Sequence, residues 1–174
     1  MKNIHYRGFD MYILDHSTYV AMFPQMQQFD CKNDSMSNYL KQSAYCNHIE
    51  YEENTTLVLK DGRLLGYFTL KMDTIDLDIE GVEPLRTLEI KRLAVDRRFQ
   101  QTGNGVIITH YIDTLTKQAN IRYITTNALS EYSDWYMNRG FSLLVEEDIE
   151  NDSPTLYMYK DLYDEEAVDR YYEE

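Results

Sequence analysis

Gln100, Gly103 and Gly105 are spaced as Gln-x-x-Gly-x-Gly, behind the strand-like run Leu93-Ala94-Val95 and ahead of an amphipathic helix pattern. A strand that turns through glycine into a helix N-terminus gathers backbone N–H groups and the positive end of the helix dipole at one point, which makes a cradle for phosphate. No Gly-Lys-Ser or Gly-Lys-Thr follows, so this is not a Walker loop. The third glycine of a dinucleotide fingerprint is missing too. Taken alone, the hexamer equally describes a tight turn with a glycine cap. A second chemically suggestive run is Trp135-Tyr136-Met137-Asn138-Arg139-Gly140-Phe141. Other chemistries are excluded by spacing. His5, His16, His48 and His110 stand in no metal-like relation to cysteines or carboxylates, so no metal is expected. No Gly-x-Ser-x-Gly elbow occurs. Asp76, Asp78 and Glu80 lack the EF-hand pattern and read as a solvated loop.

The elements that must position these residues alternate along the chain. Residues 10–22 favour a helix, with Met11, Ile13, Leu14, Tyr19 and Val20 as its apolar set. Asp34 or Ser35 can cap a helix over 35–46. Thr56–Leu59 and Leu64–Leu70 are β-rich and flank Asp61-Gly62, a hairpin signal. Residues 86–95 read as the strand before the loop, and Ile108, Tyr111, Ile112 and Leu115 share one stripe of the helix after it. Residues 121–126 form the next strand. A helix over about 131–139 ends at Gly140, a natural C-cap. Phe141–Val145 and Thr155–Tyr159 close the sheet.

At 174 residues the chain fits one domain with a sizeable core. We expect that domain over 1–160 and a separate acidic tail over 161–174, either a short helix or disordered. No apolar run is long enough to span a membrane, the first residues lack a signal core, and Cys31 and Cys46 do not suggest a disulfide framework. A cytoplasmic location is the expectation. The net charge of -13 disfavours nucleic-acid backbones and suits cationic amines.

Residues 88–106 followed by Tyr136-x-x-x-Gly140-Phe141 resemble the GNAT superfamily of acetyl-CoA-dependent N-acetyltransferases. Phe29-Asp30-Cys31 and Asp61 to Tyr67 also resemble one bacterial branch of it, so the likeness spans roughly 10–160. It implies an α/β (α+β) fold with a central mixed, mostly antiparallel sheet flanked by helices. Two of its strands, here 88–95 and 121–127, would splay to admit the pantetheine arm of acetyl-CoA, whose amides can satisfy the separated backbone groups.

Carried over by position, the backbone of Leu93, Ala94 and Val95 would bond the pantetheine and the acetyl carbonyl, one N–H serving the oxyanion. The amides of Gln100, Gln101, Thr102, Gly103, Asn104, Gly105 and Val106 would hold the pyrophosphate. The second and third loop positions are often glycine and a basic residue in the family, and here they are Gln101 and Thr102; Arg97 or Arg98 would compensate, with two plain surface residues as the equal alternative. Tyr136 matches the family tyrosine near the cofactor sulfur. With an ordinary phenol pKa near 10 it would donate a proton to the leaving thiolate. The structural alternative is a core aromatic, one of 16 tyrosines. Glu89 shares a strand face with residues 91, 93 and 95, and some histone-acetylating members carry a glutamate there, so it is the candidate general base; an exposed strand glutamate is the alternative. Asn127 and Ser130 are candidates for the pantetheine or thioester end, Ser130 equally for a helix cap.

The function expected is direct transfer of acetyl from acetyl-CoA to a primary amine of a small molecule or protein. Ala128-Leu129, Trp135-Tyr136 and Pro154 to Tyr159 look like the tRNA-acetylating toxins of toxin–antitoxin pairs, so aminoacyl-tRNA is the alternative acceptor, received by a basic patch of Lys91, Arg92, Arg97 and Arg98. A catalytically inactive acyl-CoA-binding module is the third reading. A homodimer is left open, and the acceptor is expected to be selected by segments 20–34 and 72–86.

Overall fold

The computed structural model describes residues 1–76, 79–144 and 153–163. The chain divides into two compact units. The first joins Met1–Met72 to Glu89–Tyr111; the second joins Asp73–Leu88 to the described residues from Ile112 onward. Eight strands and five α-helices are described: β1 (Asn3–Tyr6), β2 (Phe9–Ile13), α1 (His16–Gln28), α2 (Asp34–Gln42), α3 (Ala44–Ile49), β3 (Asn54–Lys60), β4 (Arg63–Ile75), β5 (Leu85–Val95), α4 (Asn104–Gln118), β6 (Tyr123–Leu129), α5 (Ser133–Met137), β7 (Ser142–Leu143) and β8 (Thr155–Asp161). The strand order is β1-β2-β3-β4-β5 in the first unit and β6-β8-β7 in the second. The pairs β1–β2, β2–β3, β3–β4, β6–β8 and β7–β8 are antiparallel. This is the mixed α/β class expected, and the two strands expected to splay fall on β5 and β6.

In the first unit α1 and α2 cover one sheet face. Leu14, Met22, Met26, Phe29, Leu40, Leu57, Leu59, Leu64, Tyr67 and Ala94 form a single buried cluster there. Burial of this size dominates the unit's stability at about 25 cal/mol per Å² of apolar surface. The phenol of Tyr67 is fully buried yet satisfied, donating to the Met36 carbonyl at 2.7 Å. Tyr111 of α4 packs on Tyr6 and Phe68, with ring centroids 5.1 and 6.0 Å away. The Asp61-Gly62 signal holds: both residues have positive φ, 50° and 74°, as a tight hairpin between right-twisted strands requires. Gln25 of α1 clamps that hairpin, donating to the Gly62 carbonyl at 3.0 Å and accepting from Leu64 N–H at 2.7 Å.

Four local expectations are corrected. Residues 10–22 are not one helix: β2 ends at Ile13, and Asp15 caps α1 by accepting from Thr18 N–H at 2.7 Å. Met11 and Ile13 belong to β2, and of that apolar set only Tyr19 and Val20 fall in α1. The cap of α2 is Asn33, not Asp34 or Ser35. The helix expected over 131–139 is a 3-10 turn over Ser130–Tyr132 followed by the short α5, although Gly140 does end it with φ 87°. The strand expected over Phe141–Val145 is only Ser142–Leu143, with Val145 outside the described residues. In the second unit β8 runs to Asp161, whose carboxylate takes a two-pronged bond from Arg122 at 2.8 and 2.6 Å. Asp78 and residues 164–174, most of the expected tail, lie outside the described residues.

Candidate functional site

β5 delivers the chain to the loop, and Asp96 sets the joint. This residue, which the sequence reading passed over, is 1% exposed and bonded at every available side. Oδ1 accepts from Arg98 N–H at 3.0 Å and Nε at 2.8 Å; Oδ2 accepts from Arg98 Nη2 at 3.1 Å and from Asp30 N–H at 3.2 Å. Its own N–H donates to the Leu65 carbonyl at 2.8 Å. Burial alone would raise its pKa, but the hydrogen bonds from Arg98 and Asp30 outweigh it and hold the carboxyl below the usual range. The available signal was an aspartate between a strand's last valine and Arg-Arg, where an Asx turn is favoured. A depressed carboxyl contributes stability above its unfolded pKa of about 4, which is lost as the pH falls through the folded value. Asp96→Asn is therefore expected to cost about 2 kcal/mol near neutrality and progressively less below pH 4, read by urea unfolding across the acid range. A constant difference over that range would detach Asp96 from the acid limb.

The loop is built by its own side chains. Gln100 Nε2 donates to the Val95 carbonyl at 2.9 Å and to the Cys31 carbonyl at 3.0 Å. The Val95 carbonyl is thus engaged inside the protein. Asn104, buried, donates from Nδ2 to the Phe99 carbonyl and to Thr102 Oγ1, both at 2.8 Å, and the Thr102 hydroxyl donates onward to the Phe99 carbonyl at 3.0 Å. Gln101 and Gly103 both have positive φ, 61° and 78°. The position where the family often places glycine is therefore one that favours glycine, and Gln101 occupies it at a strain of about 1 kcal/mol. The Gly103 carbonyl accepts from Val106 and Ile107 N–H at 3.1 and 3.3 Å, so the Val106 amide is engaged within the helix start. The first-turn N–H groups ahead of it have no partner inside α4 and are the donors an anion would meet.

The four cations of β5 and the start of the loop each have a carboxylate partner. Arg98 is bound by Asp96 as described, and Arg97 Nη1 lies 3.2 Å from Asp30 Oδ2. Lys91 Nζ lies 3.6 Å from Glu89 Oε1. Arg92 donates to Glu53 Oε2 at 2.9 Å while its guanidinium stacks 3.5 Å over the Tyr39 ring, and Tyr39 donates to the same carboxylate at 2.6 Å. Each cation of the expected basic patch thus has a carboxylate within 4.0 Å, and Arg97 and Arg98 remain more than half exposed. Glu89 is buried on β5 with Lys91 beside it, which confirms the shared strand face and not a role.

The second unit holds the remaining candidates. Tyr136 of α5 is 9% exposed and sits edge-on to Trp135 and Phe141, with centroids 5.0 and 5.3 Å away. Burial pushes its phenol up to about 12, against a smaller opposing effect of a hydrogen bond with Thr126. It is protonated throughout the neutral range. Asn127 is exposed on β6. Ser130 is exposed in the 3-10 turn, its N–H donating to the Pro154 carbonyl at 3.0 Å and its carbonyl accepting from Ser133 Oγ at 2.9 Å. It is not the cap of α5, which starts after Tyr132 without a side-chain cap. Among the described residues no group of three or more His, Cys, Asp or Glu could hold a metal ion, and no helix is long and apolar enough to cross a membrane.

The loop of left-handed residues with its helix N-terminus lies in the first unit and the buried tyrosine ahead of Gly-Phe in the second, and the family comparison gives the class. The acetyltransferase (GNAT) domain matches residues 22–162, and the chain belongs to that family, whose enzymes use acetyl-CoA as co-substrate. A tRNA-acetylating toxin of Mycobacterium tuberculosis (strain ATCC 25618 / H37Rv) is 29% identical over 84 residues, 44% of this chain and 51% of that protein. The match spans about half the length of that curated relative. Two solved structures share the fold. AtaTR bound with acetyl-CoA superposes with a TM-score of 0.68 at 19% identity, over 86% of this chain and 92% of that one. AtaT complexed with acetyl-methionyl-tRNAfMet gives 0.66 at 17% identity, over 94% and 99%.

Proposed function

We propose that this chain is a cytoplasmic bacterial N-acetyltransferase that moves acetyl from acetyl-CoA directly to a primary amine. The observation that supports this most is the preorganised loop: Gln101 and Gly103 in left-handed conformation, locked by Gln100 and Asn104, ahead of the first turn of α4. In the reaction the amine nitrogen attacks the thioester carbonyl carbon. A C–N bond forms, the C–S bond breaks, the nitrogen loses a proton and the thiolate gains one. Leu93, Ala94 and Val95 would align the thioester arm through backbone groups, with one N–H as oxyanion donor. Amides between Gln100 and Gly105 would take the pyrophosphate. Tyr136 would supply the thiolate's proton and Glu89, through water, would accept the amine's. Asn127 and Ser130 would bond the pantetheine. Residues 1–160 form the transferase domain, with 161–174 as its acidic tail.

The acceptor reading that the comparisons favour is the α-amine of an aminoacyl-tRNA, because the curated relative is named for acetylating tRNA. Such an amine titrates near 8, so a large fraction is neutral without a strong base. A small cationic amine or a protein amine, drawn by the net charge of -13, is the other reading. Acetyl-CoA binding by calorimetry, with Gly103→Trp as the blocked loop, tests the co-substrate. Acetyl transfer to aminoacyl-tRNA, polyamines and lysine peptides then separates the acceptors. Parent protein that folds but binds no acetyl-CoA would sink the enzyme reading and favour an interaction module.

A further inference from the structure

The loop lacks the basic side chain common at position 102, and Arg97 and Arg98 are both held by carboxylates. Positive charge reaches the loop from elsewhere. A cleft of about 570 Å³ is lined by Thr102 and Asn104 of the loop and by Lys60 and Arg63 of the β3–β4 hairpin. Among the described residues neither Lys60 nor Arg63 has a carboxylate within 4.0 Å, in contrast to the four paired cations above. Asp61 also lines the cleft and opposes them; Arg98 lines it too, and Phe99 gives it an aromatic wall. The two cations stand on a rigid mount. The turn between them is a two-residue positive-φ turn, and Gln25 bonds Gly62 and Leu64, the neighbours of Arg63.

We infer that Lys60 and Arg63 bind the 3′-phosphate of the acetyl-CoA nucleotide, an assignment that rests on the acetyl-CoA reading. Coenzyme A carries a pyrophosphate and, across the ribose, a phosphomonoester. The amides of the loop suit the pyrophosphate. A monoester carries nearly two negative charges at neutral pH, more than neutral N–H donors offset, and calls for side-chain cations. The cleft supplies two, adjacent to the loop, together with an aromatic face against which an adenine can stack.

Calorimetry with coenzyme A and with 3′-dephospho-coenzyme A tests the assignment. The parent protein is expected to prefer coenzyme A by about tenfold or more, since two charge-assisted contacts are at stake, and added salt is expected to shrink the preference. The double variant Lys60→Gln with Arg63→Gln, at exposed positions, is expected to bind both ligands to within about threefold while its dephospho-coenzyme A affinity matches the parent's. Lys60→Arg with Arg63→Lys is expected to keep the preference. A parent that binds both ligands alike, or a double variant that still discriminates, overturns the clamp and leaves the acetyl-CoA reading standing. A folded parent that binds neither overturns both.

Discussion

Gly66→Ala is expected to lower stability by about 2–3 kcal/mol, the scale of forced overpacking, and to weaken acetyl-CoA binding as well. A Cβ on Gly66 of β4 would stand 2.5 Å from the Ala94 carbonyl oxygen and 3.4 Å from Val95 Cα. Both are backbone atoms, so no rotamer relieves the clash, and β5 must move off β4. The segment displaced is the one proposed to align the thioester, and its end is tied to β4 by the bond from Asp96 N–H to the Leu65 carbonyl. Urea unfolding and calorimetry on the same preparation check the two effects. A variant as stable as its parent would mean that the strands close less tightly than this contact implies.

Tyr136→Phe is expected to reduce kcat by about a hundredfold or more, the usual worth of a positioned proton donor, with KM for acetyl-CoA little changed. Folding is expected to survive, because the ring keeps its packing against Trp135 and Phe141. The pH profile carries a second mark. With its phenol pushed up to about 12, Tyr136 should impose no falling limb on kcat below about pH 10. Proton transfer from such a phenol to a thiol of pKa near 8.5 is uphill in water. A Phe variant running at the parent's rate would return Tyr136 to a packing role.

The sequence made the loop legible because glycine spacing and strand-to-helix periodicity are local. Asp61-Gly62, Gly103 and Gly140 announced their positive φ for the same reason. Asp96 was not legible, since its importance lies in a bond to Asp30, a residue far along the chain. Nor could sequence tell that Arg97 and Arg98 were already spoken for, or that Lys60 and Arg63 line a cleft with Thr102; both are facts of tertiary pairing. The stretch at 10–22 misled because a strand ending at Ile13 and a helix starting at His16 lie close enough to imitate one amphipathic run. The role of Tyr136 came from its place in Tyr-x-x-x-Gly-Phe, which no local physics distinguishes from fifteen other tyrosines.

Beside the Arg97–Asp30 ion pair, three hydrogen bonds join the segment just beyond α1 to the start of the loop: Asp30 N–H to Asp96, Arg97 N–H to the Asp30 carbonyl at 2.8 Å, and Gln100 to the Cys31 carbonyl. Neighbouring bonds of this kind tend to open together, so the two stretches are expected to exchange their amide protons as one unit. Whatever settles into the loop thereby lends its rigidity to Asp30 and Cys31, 66 positions away from Asp96 in the case of Asp30. A phosphate ligand would be felt at the end of α1 as slowed amide exchange, without touching it.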